Sequence, residues 1–175
     1  MMLATTKPLL VIGLGNPLLS DDGVGLAVAR LIEEARMPGV EVAYAHSGGL
    51  DLMELMVGYD QAVVIDALDT SYVPCPAGAP LAPGQVVEMQ GTNLESTRNA
   101  ASSHSATLGE ALEAARALGI EVPGPGKVRL FGIQAHDVIT VSESLTSELT
   151  EALPEALAAI TSALALNIEE AACRP

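Results

Sequence analysis

The chain has 175 residues, 49% of them hydrophobic but only 2% aromatic, and a formal charge of −14 from 22 acids against 8 bases. This length fits one domain, 1–175, with a core built from Val, Leu, Ile, Ala and Met rather than from rings. The charge repels phosphate backbones and anionic lipid, and no run reaches the roughly 20 apolar residues of a membrane span, so no nucleic-acid or membrane partner is expected.

The start of the chain lacks the features of a signal peptide. Cys75 and Cys173 have neither metal-site nor redox spacing. Both points lead to the expectation of a reducing, cytoplasmic setting.

In chain order, Leu9 to Leu14 reads as a buried strand, followed by a tight loop and a helix from about Gly23 to Ala35. Val40 to Ala45 is a second strand, Leu50 to Val57 a short helix, and Ala62 to Asp66 (AVVID) a third, fully buried strand. A loop rich in Pro, Gly and Ala covers Tyr72 to Pro83, and Gly84 to Met89 reads as a strand at an edge. Apolar residues at helical spacing predict a helix from Ser103 to Leu118, stopped by Gly119. Lys127 to Ile133 is a further strand. Leu145 to Leu166 is a helix in which Pro154 should mark a kink or break, and Glu169 to Pro175 is expected to fray. Short β-branched runs alternating with helices predict a three-layer α/β/α domain with a twisted, mostly parallel sheet of about five strands.

The most informative stretch is Gly13-Leu14-Gly15-Asn16-Pro17-Leu18-Leu19-Ser20-Asp21-Asp22-Gly23-Val24-Gly25. Glycines between a strand and a helix first point to a dinucleotide site. Leu18 stands where the third glycine of that fingerprint belongs, and Asp21 and Asp22 would repel a pyrophosphate at the helix entrance. One carboxylate there has an ordinary explanation, capping of free amides, and Asp21 suits it. Two consecutive acids cannot cap in the same way, which leaves Asp22 for another task.

Asp66 ends the AVVID strand, and in open α/β sheets ligands gather beyond the carboxyl ends of the strands. Asp69, three residues on, is a lesser candidate. The histidines are His46, His104 and His136. His104 sits at the start of a predicted helix, where the dipole favours the neutral imidazole that metal ligation requires. His46 ends the second strand and His136 follows the strand containing Gly132; a lone histidine in such places more often only hydrogen-bonds. Two carboxylates and an imidazole form an incomplete shell for a borderline divalent ion, with the open position of a working site.

GLGNPLLSDDGVG with its following helix, then AVVIDAL, then SSHSATLGEAL, resemble in the right order the three motif regions of the hydrogenase maturation endopeptidases. The similarity covers Leu9 to Leu118, with FGIQAHDV a weaker match beyond. The resemblance implies a phosphorylase/hydrolase-like fold and an endopeptidase that trims the C-terminus of the large-subunit precursor of a [NiFe] hydrogenase. It further implies that the metal-contacting and catalytic residues are Asp22, Asp66 and His104, and that the nickel ion, Ni(2+), is carried by the substrate. The first acid is often Glu in relatives, so Asp22 is shorter by one methylene. The expected protein is a monomer that meets the precursor transiently.

Two other readings share these residues. A nickel-sensing maturation chaperone would use the same three ligands without cutting. Peptidyl-tRNA hydrolases also begin with a GLGNP-type loop, but they need a histidine where this chain has Asp21 and Asp22, and basic residues to grip tRNA.

Overall fold

A computed structural model describes residues 7–70, 80–89 and 106–172. Five strands form one sheet in the order β2-β1-β3-β5-β4. These are β1 (Leu9–Leu14), β2 (Val40–Ala45), β3 (Ala62–Leu68), β4 (Val86–Met89) and β5 (Val128–Gln134). The pairs β1–β2, β1–β3 and β3–β5 are parallel, and the edge strand β4 runs antiparallel to β5. The helices are α1 (Val24–Ala35), α2 (Leu50–Leu55), α3 (Leu108–Ala117) and α4 (Ser147–Ala172). A 3₁₀ turn, Ser20–Gly23, leads into α1.

Strand side chains alternate between faces, and the core divides accordingly. Leu9, Val11, Val63 and Ile65 pack with Val28 and Ile32 of α1 and with Leu149, Ala156 and Ile160 of α4. Leu10, Ile12, Val64 and Leu130 pack with Leu52 of α2 and with Leu108, Ala111 and Leu112 of α3. The result is the three-layer α/β/α architecture with a mostly parallel sheet of five strands.

The glycines of the first motif work as spacers between backbones. A Cβ on Gly25 would lie 2.3 Å from the carbonyl oxygens of both Leu14 and Ile65, and one on Gly13 would lie 2.6 Å from Ala29 Cβ. The first turn of α1 is thereby seated directly on the ends of β1 and β3, an approach that any side chain would block.

Four expectations change. β3 continues to Leu68, because Ala67 and Leu68 pair with Ile133 and Gln134 of β5, so Asp66 lies two residues inside the strand. α3 begins at Leu108 rather than near Ser103: Thr107 caps it, its hydroxyl accepting from Glu110 N while Glu110 Oε2 accepts from Thr107 N. That reciprocal pair satisfies the first free amides of the helix and sets its start. α4 runs through Pro154 as one helix with no break. It also continues to Ala172, past the point where fraying was expected.

Candidate functional site

Because four strands are parallel, their carboxyl ends share one rim, reached by the loops after Leu14, Ala45, Leu68 and Gln134. The 3₁₀ turn packs against β3 there. It presents Asp22, which is 1% exposed. The Asn16 amide donates to Asp22 Oδ2 at 2.9 Å, so the loop after β1 wraps the carboxylate it precedes. Gly15 makes that wrap possible: at φ +153° its α-carbon faces the Asp22 carbonyl, and a Cβ would sit 2.1 Å from that oxygen.

Asp66 is also 1% exposed. Its parity places it with Val64 and Leu68, on the face covered by α2 and α3. The Ala67 amide donates to Asp66 Oδ1 at 2.8 Å. Opposite it in β5 stands Gly132, so the neighbouring strand contributes no side chain beside the carboxylate. Gly25, three residues after Asp22, abuts the carbonyl of Ile65, the residue before Asp66. Each of the two predicted acids is thus buried, and the elements that carry them, the 3₁₀ turn and β3, are in contact.

His104 lies outside the described residues, as does the Ser102-Ser103-His104-Ser105 run. What is described is the exit of that segment, Thr107 and α3, which covers the same sheet face to which Asp66 belongs. Among the described residues, no three His, Cys, Asp or Glu side chains are grouped closely enough to hold a metal ion.

The other histidines are exposed on the rim. His46 Nδ1 stands 3.0 Å from the Gly15 carbonyl oxygen, which can only accept, so the ring proton belongs on Nδ1. His136 contributes its backbone amide rather than its ring, donating to Asp21 Oδ2 at 2.9 Å. Asp69 is half-buried, one residue beyond β3.

Asp21 departs most from its predicted role. Neither the 3₁₀ turn nor α1 has a side-chain cap. Instead Asp21, fully buried, accepts from the amides of His136 and Asp137 and from the amide and hydroxyl of Thr146, at 2.7–3.0 Å. It thus holds the loop after β5 and the entry to α4. The expected capping of its own helix is thereby corrected: the donors are loop amides and Thr146 rather than free amides of α1. A Thr-Ser-Glu run opening α4 was the available signal for its partner, but nothing local links residues 115 to 125 positions apart.

In the same loop, Asp137 Oδ1 accepts from the amides of Ile139 and Thr140. With the Thr140 side chain contributing most, these bonds hold the Asp137 carboxyl down to about 2. Leu18, Ile139 and Val141 stand exposed on the two loops joined by the Leu19–Ser142 bridge.

The comparisons agree with this architecture. The family model described as HycI, hydrogenase maturation protease, matches residues 26–163. A protein of Methanocaldococcus jannaschii named as a hydrogenase maturation protease is 35% identical over 71 residues, covering 39% of this chain and 46% of that relative, so the match spans about half of its length. The hydrogenase maturating endopeptidase HybD from E. coli superposes with a TM-score of 0.68 at 24% identity, over 91% of this chain and 93% of that one. The [NiFe] hydrogenase maturation protease HybD from Thermococcus kodakarensis gives 0.58 at 23% identity, over 89% and 97%. At those identities the two structures attest the fold, while the family model, matching well over half of the chain, attests the kinship: this chain belongs to the hydrogenase maturation protease family.

Proposed function

We propose that the protein is an endopeptidase that removes a C-terminal extension from the large-subunit precursor of a [NiFe] hydrogenase, with nickel already in the precursor as the recognised feature. The observation that carries this reading is that Asp22 and Asp66 are both buried carboxylates on elements in contact, the 3₁₀ turn and β3, in a chain of this family. Nickel is here part of the substrate. Asp22, Asp66 and His104 are the residues that would meet it, a borderline ion suited to oxygen and imidazole donors. The ion can orient the peptide, polarise the scissile carbonyl or acidify water.

The protein side of the hydrolysis is conventional. Water adds to the scissile carbonyl and gives up a proton. The tetrahedral adduct then collapses, and the leaving amine takes a proton as the C–N bond breaks. A rim carboxylate can receive the first proton and return it, which is the part an aspartate-dependent peptidase assigns to its acids. We read the protein as cytoplasmic and monomeric before it meets the precursor. No helix among the described residues is long and apolar enough to cross a membrane.

The test is incubation of the purified protein with nickel-loaded and nickel-free precursor, read by intact mass. A C-terminal loss in the nickel-loaded sample alone is the expected result. Unchanged mass in both, with a competent precursor, would overturn cleavage and leave a binding chaperone. Loss in both would overturn nickel recognition.

A further inference from the structure

Asp21 has no part in the cleavage proposed above, yet it is fully buried and its carboxylate accepts four hydrogen bonds. A carboxylate withdrawn from water is costly unless its oxygens are met by donors, and here all the donors come from the loop after β5 and the start of α4. We infer that Asp21 is a positioning residue: by bracing the 3₁₀ turn against that loop, it fixes where the neighbouring Asp22 carboxylate stands at the rim. This rests on reading Asp22 as a site residue.

Three further observations support the brace. The turn is strained, since Ser20 has φ +45°, a region that a residue with a Cβ enters only when its surroundings compel it. Those surroundings are again the post-β5 loop: the Ser20 amide donates to Ser142 O at 2.8 Å and its hydroxyl to Ser144 O at 3.2 Å. The Asp21 amide itself donates to Asp137 O at 2.9 Å, so main chain and side chain of this one residue grip the same segment.

On the other side, Asp22 is held by the Asn16 amide. Asp22 thus hangs between two anchors, one on β1 and one on the post-β5 loop. Loss of the second lets the strained turn relax and carries the adjacent carboxylate with it, because consecutive α-carbons are about 3.8 Å apart and share one peptide plane.

The experiment is steady-state processing of nickel-loaded precursor by the full chain, with Asp21→Asn, Thr146→Val and Thr146→Ser beside the unsubstituted protein, and with thermal unfolding of each. Asn can keep an acceptor toward His136 and Asp137 but turns a donor toward the Thr146 amide. Val removes the hydroxyl that donates to Asp21 Oδ2, and Ser restores it. Misplacement without loss of binding predicts a fall in kcat of about 10- to 100-fold for Asp21→Asn, with KM held within about twofold. Thr146→Val should lose kcat in the same sense, with rescue by Thr146→Ser.

Folded variants with unaltered kcat, or a rate loss accounted for by the unfolded fraction, would overturn positioning and leave Asp21 a brace for stability. Should Asp21→Asn not fold, the Thr146 pair decides. Unsubstituted protein that leaves the precursor uncut overturns the cleavage reading itself, and with it this inference, so the two failures are told apart.

Discussion

Asp21 and Asp22 are neighbours of one residue type, 0% and 1% exposed, yet they serve two regions of the rim. On one side, Asp21 faces the loop after β5 and is filled with donors from His136, Asp137 and Thr146. On the other, Asp22 is gripped by the loop after β1 through Asn16 and stands beside the end of β3, where Asp66 waits in a strand with a glycine across from it. Burial alone does not separate the two carboxylates. The origin of the partners does: Asp21 is met by donors from a loop 115 to 125 residues away, whereas the amide on Asp22 comes from its own loop, at Asn16, and that on Asp66 from the next residue, Ala67.

The largest expected effect comes from breaking the second region. Asp22→Asn and Asp66→Asn keep shape and an acceptor but remove charge, and each should lower precursor processing by at least about 100-fold, the scale of a positioned acid–base or metal-contacting group. Their thermal midpoints should stay within a few degrees of the parent, as expected for a change worth roughly 1 kcal/mol. His104→Ala should match them in activity. Normal processing by two of these three variants would remove the site assignment. Asp21→Ala sharpens the contrast from the other side. It strands part-buried donors on three residues and should cost about 2–4 kcal/mol in urea-induced unfolding, a loss that neither Asn variant should approach.

How much of this was legible in the sequence follows the range of the interactions. β1 and β2 come out with their observed limits, because apolar runs bounded by Gly, Pro and Asn declare themselves locally. The end of β3 does not, since Ala67 and Leu68 are strand residues through pairing with β5, more than 60 positions away. The start of α3 is written in Thr107-Leu108-Gly109-Glu110, a capping-box pattern that competes in the sequence with the serines upstream. Pro154 does not end α4: the apolar face formed by Leu149, Ala156, Ile160 and Leu164 packs against the sheet and outweighs one missing amide. For the site, the motif order points to Asp22 and Asp66, and the fold buries both on elements in contact with each other. The role of Asp21 was not legible, because its donors lie 115 to 125 residues away.

The smallest effect concerns the outer end of the brace. The Asp137 carboxyl is held down to about 2 by the Thr140 hydroxyl first, then by the Thr140 and Ile139 amides. In the unfolded chain the same group titrates near about 3.9. A folded value below the unfolded one means that ionised Asp137 favours the folded state. That contribution is fully present above about pH 4 and is lost as the pH falls toward 2. Glu88, lowered by its bond to Arg129, adds to the acid sensitivity of the whole protein, so the measurement must be a difference. Unfolding free energy should be followed from pH 6 to about pH 2.5 for the parent and for Asp137→Asn, which keeps an acceptor but cannot ionise. The variant's curve should fall less steeply below about pH 4 and run parallel to the parent's above it. Parallel curves throughout would mean that the turn following β5 holds its shape without the charge, and that the brace on Asp21's side depends on backbone geometry rather than on this carboxylate.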